Sequence, residues 1–232
     1  MLAWKIRLFL LRSWEFVRFW PYRCMRFVRW VFLFEKPSGR MSFIRWAIGL
    51  VMKAVDLLPV AVILEFFLDL LFWKTRPLTS EEKETIRSIF GHALQSELIG
   101  VDAHSWIAKK RIAHAYVSWH TVHFDGSISD ATLIHEMVHI WQYQRHGHLY
   151  ITESLFAQRW GGGYAYGGAS ALLLHGTKGL MAFNFEQQAE IIEDYYRLKN
   201  KLPLQGLKNA GDEGRLLGTY ADEIKVFPST MA

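Results

Sequence analysis

The stretch DATLIHEMVHIWQYQRHG, residues 130–147, decides how this chain is read. Leu133, Ile134, Met137, Val138, Ile140 and Trp141 recur at helical spacing, Asp130 can cap the first turn, and Gly147 suits the exit from a helix. The composition is that of a buried helix. Three polar residues interrupt it: His135, Glu136 and His139. At about 100° per residue the two imidazoles lie about 40° apart and can converge on one tetrahedral cation, while Glu136, about 100° round, stays free to act on a water. The apolar residues occupy the rest of the circumference, so the helix presents these three side chains together. In a chain of 232 residues with 10 His, chance supplies roughly 0.025 copies of this five-residue pattern. The spacing therefore predicts one Zn2+ per chain, with His135 and His139 as ligands and Glu136 as base. The weaker alternative is a pair of histidines hydrogen-bonded in a crowded core.

A catalytic zinc takes three protein ligands and leaves a fourth position for water. A third His on the same stretch is excluded, because Arg145 stands six residues after His139 and Gln142 replaces the glycine that pattern needs. The other route is a carboxylate from a later helix, and FEQQAE (185–190) offers Glu186 as ligand, Ala189 for close helix approach and Glu190 to accept the free ring N–H of a ligand His. Spacing alone leaves Glu153 and Glu190 open as the third ligand. Glu186, Glu190, Glu193 and Arg197 would equally form the polar stripe of a solvated amphipathic helix.

Upstream, residues 98–124 are rich in strand formers such as Tyr116, Val117, Val122 and Phe124, and Asp125-Gly126 supplies a turn. His120 and His123 read as structural. Thr79 and Glu82 fit a capping box for a helix ending at Gly91. The expected fold class is α+β: a mostly helical metallopeptidase-type domain over residues 76–232 with a small β-sheet, preceded by amphipathic and hydrophobic helices over 1–75.

Charge divides the chain in the same way. Residues 1–53 hold eleven Lys/Arg against Glu15 and Glu35, so this part is +9 and the remainder −4. Residues 1–35 carry eleven aromatics interleaved with arginines. At about 100° per residue the charged groups fall in an arc of about 160°, which describes a basic amphipathic helix bent at Pro21. Such a helix suits an anionic membrane surface; packing on the protein itself or on a second copy is the alternative. A continuous apolar face has no use on a nucleic acid. Residues 43–73 are broken by Arg45, Lys53, Asp56, Glu65 and Asp69, so two short helices separated near Pro59 fit better than a simple span, with 57–73 the marginal exception. Arginines also interrupt any secretory h-region. Cys24 is the only cysteine, so no intramolecular disulfide can form.

Arg76-Pro77-Leu78-Thr79, Phe90-Gly91, HEMVHIWQYQ (135–144) and FEQQAEIIEDYY (185–196) resemble the zinc metallopeptidases encoded beside Vgr and Rhs components of bacterial type VI secretion, which are similar to the core domain associated with extracellular contractile injection systems. The resemblance covers roughly residues 76–200. It implies a gluzincin-like fold, favours Glu186 as third ligand, and implies a bacterial protein that is, or processes, a secreted effector; the expected membrane association, at the cytoplasmic face or after delivery by a secretion system, rests on composition. The basic aromatic N-terminus is not part of the shared pattern. The expected activity is hydrolysis of a peptide or protein substrate. Tyr164 or Tyr166, within the glycine-rich stretch 161–168, could donate to the oxyanion from a mobile loop, and the strand region could pair with an extended substrate if it lies at a sheet edge. The rivals are a non-enzymatic zinc-braced module that docks on membrane or secretion apparatus, and a pore-former built on residues 43–73.

Overall fold

The computed structural model describes residues 1–32, 40–71, 73–110, 114–175, 179–205 and 213–226. The HExxH stretch forms helix α7, Asp130–His146. Its cap is Ser129 rather than the expected Asp130: Ser129 keeps extended backbone, and its hydroxyl accepts the Thr132 N–H at 3.1 Å. Asp130 instead places a carboxylate in the first turn, where the helix dipole favours it. Gly147 ends the helix at φ 66°, and a Cβ there would collide with the Asp56 carboxylate, so both backbone and space require glycine.

Around α7 the described residues build a four-stranded sheet and, after the first four helices, five further helices longer than a single turn. The strands are β1 (Arg76–Pro77), β2 (Gly100–Asp102), β3 (Ala115–Ser118) and β4 (Thr121–Phe124), in the order β1-β2-β4-β3. β2 runs parallel to β4, while β1 and β3 are antiparallel to their neighbours. The region read as β-like thus divides into three strands, interrupted by the short helix α6 (Trp106–Lys109), which Ser105 caps. Helix α5 (Ser80–Phe90) has the expected Thr79–Glu82 capping box. Then follow α8 (Leu149–Trp160), α9 (Gly168–Leu174), α10 (Phe185–Lys199) and α11 (Glu213–Val226). Ile134, Met137, Val138 and Ile140 of α7 are fully buried with Ala189, Ile191 and Ile192 of α10, Ile89 and Phe90 of α5, and Val101 and Val122 of the sheet. Each large side chain buried this way contributes about 1.5–3 kcal/mol, which makes the α7–α10 pair the rigid centre of the molecule. The observed class is mixed α and β, mostly helical with a small sheet, as expected.

The first 71 residues form α1 (Leu2–Arg18), α2 (Trp20–Phe32), α3 (Arg40–Val55) and α4 (Val60–Leu71). Residues 33–35 of the expected first helix lie outside the described residues. The break falls at Phe19, two residues before Pro21, because proline is tolerated in the first turn of α2, where its missing N–H has no intrahelical partner. No single described helix is long and apolar enough to cross a membrane; Phe43–Val55 and Val60–Leu71 would pass together but are bent by 70°.

Charged residues of these helices face the protein. Arg12 is buried and donates to the Leu98 carbonyl at 3.0 Å, Asp69 at 3.3 Å and Thr121 Oγ1 at 3.3 Å, with Glu65 at 3.5 Å. Arg26 donates to the carbonyls of Arg145 and His146 at 2.8 and 2.9 Å, capping the C-terminus of α7. Asp56 accepts from the His148 backbone N–H at 2.9 Å and pairs with its Nδ1 at 2.6 Å. Polar contacts therefore cross the hydropathy boundary before Arg76 repeatedly.

Candidate metal centre

Two helices carry the site. Asn184 caps α10, accepting the Gln187 N–H at 2.9 Å while Gln187 Oε1 accepts the Asn184 N–H at 3.2 Å. This reciprocal cap fixes where the helix begins and so sets Glu186 in its first turn, against α7. Glu186 Oε2 lies 3.5 Å from His139 Nε2 and 3.9 Å from His135 Nε2, and one atom of each residue falls within 4.8 Å of the other two. All three side chains are buried. Glu186 Oε1 accepts from Gln158 Nε2 at 3.1 Å, but Oε2 is a buried carboxylate oxygen without a hydrogen-bond partner among the described residues. Leaving such an atom unpaired is costly, and a cation between the three residues would satisfy it. The donor set of two imidazoles and one carboxylate suits zinc.

Both imidazoles are held from behind. His139 Nδ1 faces Gln142 Oε1 at 2.9 Å, and Gln142 spends its amide N–H groups on the Phe185 carbonyl at 2.9 Å and Gln188 Oε1 at 3.0 Å. With both amide protons committed, Gln142 can only accept from the ring, which puts the proton on Nδ1 and leaves Nε2 as a lone pair facing Glu186. His135 Nδ1 meets Glu193 Oε2 at 3.0 Å, and Arg197 in turn holds Glu193 at 2.9 and 2.7 Å. The expected orienter, Glu190, is 3.9 Å from the same nitrogen, beyond hydrogen-bonding range. Helical phase explains the exchange: seven residues return Glu193 to within about 20° of Glu186, whereas Glu190 sits about 40° off. Substituting Gln142→Leu should lower zinc affinity about 10–100-fold with the fold intact, as measured by competition with a chelating dye.

With no cation between them, the imidazoles and the carboxylates stabilise each other's charge. Burial disfavours charge on His135, but Glu186 and Glu193 more than offset it, and its pKa is pushed up to about 10. Glu186, despite burial, is held well below the usual carboxylate range by His135 and His139. Burial pushes the Glu136 carboxyl up; the two imidazoles pull it back only in part, with Glu186 and Glu193 adding to the rise. A carboxylate raised in this way holds a proton more readily than an ordinary one, which suits a group that must take up a proton and pass it on. Burial and Glu193 push Glu190 up to about 7.

A cleft of about 730 Å3 opens over the three residues, walled by Glu136, Tyr150, Ile151 and Leu155, by Tyr164, and by Ala115, Tyr116 and Val117 of β3. β3 is one of the two edge strands, so among the described residues one of its sides has no strand neighbour, although its Val117 carbonyl accepts from the Tyr150 hydroxyl at 3.1 Å. Of the two tyrosines on the glycine-rich stretch, Tyr164 reaches the cleft, its ring 5.8 Å from that of His135 and its hydroxyl pushed up to about 12 by burial and then by Glu186 and Glu136. Tyr166 does not. Its ring is buried in the core and its hydroxyl donates to Asp194 at 2.8 Å. Glu153 is turned away and paired with Arg45. His120 and His123 are buried against Glu65 and Asp102 at 3.1 Å each, in structural roles. Gln142 and Glu193 are the participants that spacing arguments missed; Gln142 lies three residues after His139, where a helical neighbour reaches the ring, and that phase was the available signal. No protein-family profile, curated protein or solved structure matches the chain.

Proposed function

We propose that this cleft is the active site of a zinc-dependent peptidase. The observation that carries the reading is the convergence of His135 Nε2, His139 Nε2 and the unpaired Glu186 Oε2, with Glu136 beside them and not needed as a ligand. A zinc ion bound there would act as a Lewis acid on a water and on the scissile carbonyl. Glu136 then takes the proton of the attacking water and passes it to the leaving amine as the C–N bond breaks. Tyr164 stands on the cleft wall, where its hydroxyl can donate to the carbonyl oxygen as negative charge develops. The free side of β3 offers backbone pairing to an extended peptide, a recognition mode that does not depend on substrate side chains. The resemblance to the group encoded beside type VI secretion components extends the reading to a bacterial effector, or a peptidase that processes one.

A second reading, a metal that only braces the fold, is favoured by one fact: the ligands join α7 to α10, the two helices at the centre of the core. Both readings share the metal, and metal content comes first. Full-length protein in mild detergent should contain about one zinc per chain by mass spectrometry, and His139→Ala or Glu186→Ala should lose it. A folded, unmodified chain that takes up no zinc would sink both.

A further inference from the structure

The polarity of α1–α4 is inverted relative to a helix in water. On α1 the buried residues are Leu8 and Arg12, while Leu2, Ile6, Leu10, Trp14 and Val17 face outward, Trp14 at 61 % exposure. On α4, Glu65 and Asp69 are buried beside Ala61 and Val62, and Ile63, Phe67, Leu70 and Leu71 are exposed. α2 repeats the pattern, with Met25, Val28 and Phe32 outside while Arg26 reaches inward to α7. Every buried charge named here has a partner. The result is an apolar face shared by packed helices, far larger than the scattered apolar residues of an ordinary surface.

We infer that this face is embedded in one leaflet of an anionic lipid bilayer. Three observations favour lipid. Exposed Arg7 and Arg18 of α1 lie three turns apart on one line, about 80–100° from the centre of the apolar sector, where long cationic side chains reach headgroup phosphates while their stems stay in the apolar layer. Arg29 of α2 is exposed at the same kind of position. Second, the 70° bend between α3 and α4 takes this apolar pair out of a straight crossing, a shape open to an element that enters one leaflet. Third, the surplus of cations in residues 1–53, less those such as Arg12, Arg26 and Arg45 that are held by protein groups, matches acidic headgroups. A second copy is the poorer occupant, since a two-fold contact through this face would set the same arginine-rich rim against itself.

The test uses full-length protein exchanged from detergent into vesicles of phosphatidylcholine with phosphatidylglycerol, or of phosphatidylcholine alone, followed by flotation. Flotation with the anionic vesicles is expected, together with quenching of tryptophan fluorescence by brominated acyl chains that diminishes in Trp14→Phe. Replacing Arg7 and Arg18 with Gln should lower partitioning about thirtyfold on anionic vesicles and much less on neutral ones. Leu10→Glu with Phe67→Glu, both on the outer face and checked for unchanged circular dichroism in detergent, should abolish flotation. Protein that stays dispersed without lipid and fails to float overturns the inference. So does a detergent-free dimer that the Leu10→Glu, Phe67→Glu variant dissociates, which would assign the face to a second copy.

Discussion

Glu136→Gln should retain one zinc per chain and lose peptide hydrolysis by roughly 10²–10⁴-fold, the usual contribution of a positioned general base. The argument rests on what Glu136 does not do. The three converging atoms come from His135, His139 and Glu186, so removing the Glu136 charge takes nothing from the ligand set. Gln keeps the size and hydrogen-bonding reach of Glu but cannot accept a proton from water. Turnover of a fluorogenic peptide library, measured beside zinc content on the same preparation, decides the matter. Full zinc with undiminished turnover would remove Glu136 from the mechanism, and a wild-type protein that holds zinc but cleaves nothing across a broad library would favour the bracing role. Charge near the metal also changes in this variant, so zinc content must be measured and not assumed.

Arg12→Met should destabilise the chain by about 3–5 kcal/mol, the typical cost of stranding buried charge. Arg12 is 2 % exposed and is the cation that faces both Glu65 and Asp69, which are themselves buried. Thr75 donates to Asp69 at 2.7 Å and the His120 backbone to Glu65 at 2.9 Å, but neither supplies positive charge. For a chain of this size, such a loss corresponds to a fall in melting temperature of roughly 6–20 °C. Unfolding in detergent followed by circular dichroism checks it. Combining Arg12→Met with Glu65→Gln and Asp69→Asn should recover part of the loss, since the stranded charges are then gone. Equal melting temperatures for all three proteins would mean that water or detergent reaches this cluster.

Helix α7 was legible because its signals are local. HExxH, the apolar period behind it and Gly147 all sit within 18 residues, and the Thr79–Glu82 box is equally short-range. Glu186 was reachable as a candidate since a carboxylate from a later helix was the remaining donor. The exchange of Glu190 for Glu193 was not, because it turns on how α10 is rotated against α7, a packing property decided by Ala189, Ile191 and Ile192 together. Tyr164 and Tyr166, two residues apart, could not be separated without knowing which side of the chain meets Asp194. In the N-terminal helices periodicity drew a charged arc and an apolar one. Their direction was hidden, because periodicity fixes the angle between faces and says nothing about which one meets the protein. Distant partners orient them, Leu98 and Thr121 for Arg12 and the last carbonyls of α7 for Arg26.

Arg26 on the last carbonyls of α7 has a practical corollary for anyone shortening this chain. The drop in hydropathy before Arg76 invites a cut there, yet the cut would unbind α7 from its cap, His148 from Asp56 and His120 from Glu65, all within the piece meant to survive. What reads as a seam in the sequence is, in three dimensions, the middle of a joint.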